Sequence, residues 1–375
     1  MTTAITDDRP VILQVLHRMG VGGAEVLVDR MVRNMSDRFQ FVIACLDEVG
    51  TLGEGLRTDG VQVVDLKRGP GLDLQCARRL GQLANKIGAD LIHCHQYTPY
   101  FYGVTARGIF GRLPIVFTEH GRHHPDQRKW KRVLFNRIAD RSSDRVIGVG
   151  EAVKRALVAN EGFHEKRVGV IYNGVPLAPI MEATADREGV RREFDVPQNG
   201  KIIIQVARLD YLKDHITAVR AVRELTTSDA LVYWLVVGDG PERAAIEREI
   251  QTLGVENVRL AGERSDVPRL LRASDVMLLS SISEGIPLTL IEGMAAELPI
   301  VSTSVGGVCE VVQTEKHGCL VPASEPSRMS EQLKRVLVTP GLATQFGQAG
   351  RERAIQMFDE KKMHQHYREL YDDAV

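Results

Sequence analysis

The chain has 375 residues, enough for two domains at about 100–200 residues each. Its 43% hydrophobic and 26% charged residues, with mean hydropathy −0.13, exclude a predominantly disordered or collagenous chain. Lys plus Arg number 48 and Asp plus Glu 49, a net charge of −1, so no global field recruits nucleic acid or an anionic membrane, and any such role must be local.

Short Val/Ile/Leu runs alternate with longer helical patterns. VILQVL from Val11, FQFVIACL from Phe39, VQVVDL from Val61, DLIHC from Asp90, PIVFTE from Pro114, RVIGV from Arg145 and RVGVIY from Arg167 read as strands of a parallel sheet covered on both faces. The rhythm pauses between Val175 and Gly200, where prolines accompany a charged, weakly apolar stretch, the expected domain connection. It restarts with KIIIQVARL from Lys201, VYWLVVG from Val232, NVRLAG from Asn257, DVMLLSS from Asp275, PIVSTS from Pro299 and GCLVPA from Gly318, a second parallel-sheet domain. The segment Gln345 to Tyr371 is helical in pattern, with Met357, Phe358, Met363, Tyr367, Leu370 and Tyr371 as its apolar positions.

The apolar run Val11–Leu16 is far short of the roughly 18–20 residues of a membrane span, and its acidic lead-in does not suit a signal peptide, so a cytoplasmic location is expected. Cys45, Cys76, Cys94, Cys309 and Cys319 are scattered and form no CxxC pair, which predicts neither a disulfide framework nor a zinc knuckle.

Two parallel-sheet domains of this kind generally hold a ligand in a cleft at the carboxyl ends of their strands, so the motifs are sought just after strands. After the first run comes MGVGGAE, where Gly20, Gly22 and Gly23 allow close backbone approach and a helix start offers N–H groups to an anion. Glu25 stands where a dinucleotide fingerprint needs a small residue, and a plain tight turn is the competing reading. FTEHG puts His120 after another strand. His93 and His95 flank Cys94, a set read as packed or cleft-lining in preference to metal-ligating.

In the second half, VARLDYLKDH places Arg208 and Lys213 across a strand-to-helix turn, where two cations could clamp a diphosphate or simply face solvent. VVGDGPER places Gly238 and Gly240 in a turn open to close approach. SEGIPLTLIEGMAAELP separates Glu284 from Glu292 by seven residues around a Gly285–Pro287 turn. Its carboxylates suit sugar hydroxyls and its helix start suits phosphate, unless the acids only complement the helix dipole. There is no complete Walker loop, no GxSxG elbow and no HExxH.

The colinear order GGAE, FTEHG, YNGV, VARLDYLKD, VVGDGPE, EGIPLTLIE and SVGGVCEVV resembles the family 4 glycosyltransferases of the GT-B fold over almost the whole chain. The resemblance implies two Rossmann-like parallel-sheet domains facing across a cleft: 1–178 on the acceptor side, 179–356 for the nucleotide sugar, and 357–375 as a helix returning to the first domain. It implies a retaining transfer from a nucleotide-diphospho sugar, UDP-linked ahead of GDP-mannose, to a glycan or lipid-linked acceptor, with no cofactor and no metal. The leaving phosphate itself would serve as base.

Carried over residue by residue, Arg208 and Lys213 would bind the diphosphate, Glu292 the ribose and Glu284 the hydroxyls of the transferred sugar. Amides near Gly285 to Leu288, a stretch that includes Ile286 and Pro287, would contact sugar or phosphate. Gly22, Gly23 and Gly238 would lie near the donor, Gly262 to Arg264 would face the base, and His120 would touch the donor sugar. A sugar-nucleotide epimerase and a non-catalytic sugar- or nucleotide-binding protein are the competing readings. Finally, the segment 122–141 holds seven Lys/Arg (Arg122, Arg128, Lys129, Lys131, Arg132, Arg137, Arg141) against Asp126 and Asp140, 7 − 2 = +5, with Trp130, Val133, Leu134 and Phe135 interleaved. It reads either as a solvated helix with its apolar stripe in the core or as a peripheral contact with an anionic membrane.

Overall fold

The computed structural model describes residues 8–111, 113–121, 128–139, 141–226 and 231–375. The chain divides into two compact units: unit 1 runs to Tyr172 and adds Met363–Val375, and unit 2 is Asn173–Lys362. In unit 1, β1 (Val11–Arg18), β2 (Gln40–Glu48), β3 (Gln62–Asp65), β4 (Leu91–His95), β5 (Ile115–Glu119), β6 (Arg145–Gly148) and β7 (Val168–Val170) form one sheet in the order β3-β2-β1-β4-β5-β6-β7. In unit 2, β8 (Lys201–Val206), β9 (Val232–Val237), β10 (Val258–Gly262), β11 (Val276–Leu279), β12 (Ile300–Thr303) and β13 (Gly318–Val321) form a second, in the order β10-β9-β8-β11-β12-β13. The ladders within both sheets are parallel. Each apolar run of the sequence supplies one strand, because a strand buried on both faces needs continuous rather than alternating apolar character. In unit 2 the helices pack on the sheet around Ile203, Val222, Trp234, Leu278, Val301 and Phe346.

Two boundaries differ from the sequence reading. The stretch between Val175 and Gly200 is not a bare connector: it forms the helices Ala178–Met181 and Arg187–Glu193, with Ile180 and Val190 buried, and it belongs to unit 2. Its charges have partners, since Arg191 donates to the Gly200 carbonyl at 3.1 Å and approaches Asp275 at 3.5 Å. The C-terminal segment is two helices, Leu342–Met357 and Glu360–Asp372, parted at the buried Phe358, whose carbonyl accepts from the Val175 amide at 3.0 Å. The passage into unit 1 falls within the second helix, at Lys362–Met363. From there Met363, Tyr367 and Tyr371 are buried, while Arg368 pairs with Asp37 at 2.7 Å.

Candidate active site

In both sheets the strand order reverses next to the first strand of the unit: β1 lies between β2 and β4, and β8 between β9 and β11. Loops leaving the carboxyl ends on either side of such a point diverge and open a crevice.

In unit 2 the crevice is charged. The chain leaving β8 makes a single 3-10 turn, Tyr211–Lys213, started by the Leu212 amide donating to Asp210 Oδ1 at 2.9 Å. Asp214 then accepts from the Thr217 amide at 3.2 Å and opens the helix His215–Thr226. Lys213 is tied across to the end of β11 twice over: Ser280 Oγ donates to its carbonyl at 2.8 Å, and Ile282 N donates to the Leu212 carbonyl at 2.8 Å. Its ammonium reaches Glu284 Oε1 at 2.6 Å, and Ser281 Oγ donates to the same oxygen at 2.6 Å. The Glu284 side chain is 8% exposed, so the pair is held at the edge of solvent. Below it, Gly306 adopts φ +50 and Gly307 follows, and a Cβ on either would strike the Glu284 or Gly285 carbonyl oxygen. These two glycines let one loop lie flat under another.

The remaining sequence candidates separate. Arg208 is exposed directly after β8 and, among the described residues, takes no carboxylate partner. Ile286 and Pro287 are buried, and the helix Leu288–Ala295 starts after them with no side-chain cap; Glu292 lies half-buried one turn inside it. Gly238, at φ +134, is required by the Ala207 carbonyl oxygen packed against it, and its amide donates to Gly262 at 2.8 Å. Close approach there is thus backbone to backbone. Gly262 itself has open space around it. Arg264 pairs with Asp266 at 2.8 Å and Glu193 at 2.8 Å, and its guanidinium holds the Asp266 carboxyl down at about 2.

In unit 1 the equivalent place is neutral and buried. Gln14, in the middle of β1, accepts from His95 Nε2 at 2.7 Å and donates to the Tyr371 hydroxyl at 2.9 Å. Since His95 Nε2 is then the donor, His95 Nδ1 accepts from His120 Nε2, 2.9 Å away. Tyr371 passes its proton side to His93 Nδ1 at 2.6 Å, His93 Nε2 donates to Thr118 Oγ1 at 2.8 Å, and Tyr367 closes the chain at 3.2 Å from Thr118. All three imidazoles stay uncharged in this pattern. Burial holds His93 and His95 well below the ordinary 6.5 and brings His120 down to about 4. His120 Nδ1 remains a buried acceptor with no partner. The glycines before the first helix also differ from a bare anion cradle, because the Glu25 carboxylate folds back against Gly22 at the start of Gly23–Met35.

Sequence reasoning had selected Lys213, Glu284 and His120, but not Gln14, Gln205, Ser280, Ser281 or the two tyrosine hydroxyls. A signal was available in VILQVL and KIIIQV, where one amide interrupts an otherwise apolar strand. A buried amide must find partners, and it finds them across the strand reversal. Among the described residues no group of three His, Cys, Asp or Glu could hold a metal ion, and no helix is long and apolar enough to cross a membrane.

Two families of known proteins match the chain. The one described as Glycosyltransferase Family 4 matches residues 21–178, and Glycosyl transferases group 1 matches residues 186–353. Among curated relatives, N-acetyl-alpha-D-glucosaminyl L-malate synthase of Bacillus anthracis is 28% identical over 82% of this chain and 80% of its own length. D-inositol 3-phosphate glycosyltransferase of Salinispora arenicola is 27% identical over 76% of this chain and 69% of its own. Among solved structures, Anabaena HepE in complex with UDP and glucose superposes with a TM-score of 0.85 at 22% identity, covering 97% of this chain and all of that one, 100%.

Proposed function

Because the chain belongs to the family 4 glycosyltransferases of the GT-B fold, we propose that it transfers a sugar from a nucleotide-diphospho sugar, a UDP-sugar ahead of GDP-mannose, to a glycan or lipid-linked acceptor, with retention of configuration and without a cofactor or metal. The observation that carries the reading is the Lys213–Glu284 pair at the strand reversal of unit 2. An ammonium and a carboxylate fixed side by side offer a diphosphate and a sugar's hydroxyls one partner each. Binding exchanges their mutual contact for two charge-assisted contacts to the donor.

In this reading Lys213 and Arg208 stabilise the diphosphate as it gains charge, a contribution that grows toward the transition state. Glu284 holds the sugar that becomes oxocarbenium-like, Glu292 takes the ribose, and the amides around Gly285 and Leu288 take sugar or phosphate. The chain's part in the chemistry is positioning and charge stabilisation, the departing phosphate receiving the acceptor's proton. Action on the cytoplasmic side of a membrane, in cell-surface polysaccharide or glycolipid synthesis, belongs to the same proposal. So does a peripheral contact through the basic segment 122–141, of which residues 122–127 and 140, with Arg122, Asp126 and Asp140, lie outside the described residues. HepE, described in complex with UDP and glucose, favours a UDP-linked donor.

Incubation with a panel of nucleotide sugars, reading released nucleoside diphosphate together with the anomeric configuration of the sugar by NMR, tests this. The expected result is slow UDP release from one donor with the α configuration kept. Binding with no turnover across the panel, or release of an epimerised sugar, overturns it.

A further inference from the structure

The helix Trp130–Ala139 covers unit 1 with one face and leaves the other bare. Val133, Asn136 and Ala139 are buried, and Arg132 turns inward to pair with Glu161 at 3.1 Å while stacking 4.0 Å over the Tyr97 ring. On the outer side Trp130, Leu134 and Ile138 follow one another at four-residue spacing and are 68%, 53% and 77% exposed. Single exposed apolar side chains are ordinary, but three in one helical row are a surface that water does not favour.

Lys131 lies along one edge of that row and Arg137 along the other, both exposed. Arg128 and Lys129 stand just before the helix, and between Arg128 and Arg141 the sequence has six Lys/Arg and one acid, Asp140. Beside the helix is an open cavity of about 430 Å³ lined by Arg128, Asn136, Arg137, Gly162, Phe163 and His164. Among the described residues neither Arg128 nor Arg137 has a carboxylate partner, and both line the cavity next to the apolar row.

We propose that this face is a docking surface for an anionic lipid bilayer, with Trp130, Leu134 and Ile138 entering the headgroup boundary and a lipid phosphate seated at Arg128 and Arg137. An apolar stripe edged by cations is the arrangement an interfacial helix needs. A second copy of the chain fits less well, because pairing this face with itself would oppose like charges. The proposal gives the membrane contact of the preceding reading its residues, and it rests on that reading for its purpose only.

The test is flotation of the full chain with phosphatidylcholine vesicles, with and without phosphatidylglycerol, at low and high salt. The expected result is binding to the phosphatidylglycerol vesicles that falls as salt rises. Lys131→Gln with Arg137→Gln should weaken it on the order of 30-fold, at roughly fivefold per cation removed. Trp130→Ser with Ile138→Ser should weaken it by roughly tenfold or more. Nucleoside diphosphate release by these variants should match the parent, which shows that they are folded. No flotation with the anionic vesicles, equal flotation with neutral ones, or flotation that the Gln pair leaves unchanged overturns the proposal. So does a concentration-dependent dimer that the Ser pair abolishes. If the parent floats as expected but releases no diphosphate from any donor, the enzymatic reading fails and the lipid surface stands.

Discussion

The two strand reversals were built from the same plan and put to different chemistry. Each unit's first strand carries one buried glutamine, Gln14 in β1 and Gln205 in β8, and each reaches across to the neighbouring strand's end. Gln14 has both ends of its amide engaged and anchors a run of neutral side chains closed by the tyrosines of the C-terminal helix. Gln205 donates to Ser280 at 3.2 Å, but its Oε1 has no partner, and the groups around it end in an ammonium and a carboxylate near solvent. A satisfied neutral network favours rigidity. A charged pair at the edge of solvent is instead available to exchange partners.

Removing the C-terminal segment should separate the units most sharply. Truncation after Lys362 deletes Met363, Tyr367 and Tyr371, each worth about 1.5–3 kcal/mol by burial, and leaves Gln14 and His93 short of partners. Hydrogen exchange read by mass spectrometry should show β1, β4 and β5 losing protection while β8 and β11 keep theirs. Equal protection in all five would break the contrast.

The charged reversal answers next, in rate. Lys213→Ala and Glu284→Ala should each lower kcat by roughly 10–150-fold, the span of a charged hydrogen bond of about 1.5–3 kcal/mol. Glu292→Gln should act mainly on the donor KM. Steady-state kinetics on a donor that is turned over checks all three, and near-parental kcat in the first two would put transfer elsewhere.

The glutamines themselves give a smaller, paired comparison in melting temperature. Gln14→Leu strands the His95 Nε2 donor and costs about 1–3 kcal/mol for each buried group left unpaired. Gln205→Leu removes an oxygen that already lacks a partner, and Ser280 Oγ still has the Lys213 carbonyl, so its cost should be the lesser of the two.

Acid provides the most graded effect, a slope with pH and not a single step. His93, His95 and His120 in unit 1, and His215 and His317 in unit 2, are all held below 6.5, chiefly by burial. A histidine kept neutral when folded contributes fully above its unfolded value. As pH falls below about 6.5 the unfolded chain takes up the proton first, and stability drops by about 1.4 kcal/mol per pH unit for each such group until its folded value is reached. With three such groups against two, unit 1 should lose exchange protection earlier between pH 6.5 and about 4. The reverse order would show that the histidine network is not what loosens unit 1 in acid.

The strands were legible in the sequence because a doubly covered parallel sheet writes itself as continuous apolar runs, and none of the thirteen is misplaced. Lys213 and Glu284 were legible because they stand just past such runs. Tyr367 and Tyr371 were read only as apolar positions, since helical spacing reports which face is buried and says nothing of where a hydroxyl points. The split of the C-terminal helices at Phe358 shows in the pattern only as one step of five, from Phe358 to Met363, between rows of four-residue spacing. Trp130, Leu134 and Ile138 show the converse, an apolar row that the helical period alone would place inward and that faces out.

The return of the chain to unit 1 has a consequence for its birth on the ribosome. β1 to β7 are all synthesised by Val170, yet the hydroxyl that both Gln14 and His93 require arrives with Tyr371. At about 5–20 residues per second, the roughly 200 intervening residues take on the order of 10–40 s. For that interval the nascent first unit holds an unfinished polar seam, and it can be completed only after the whole second unit has emerged.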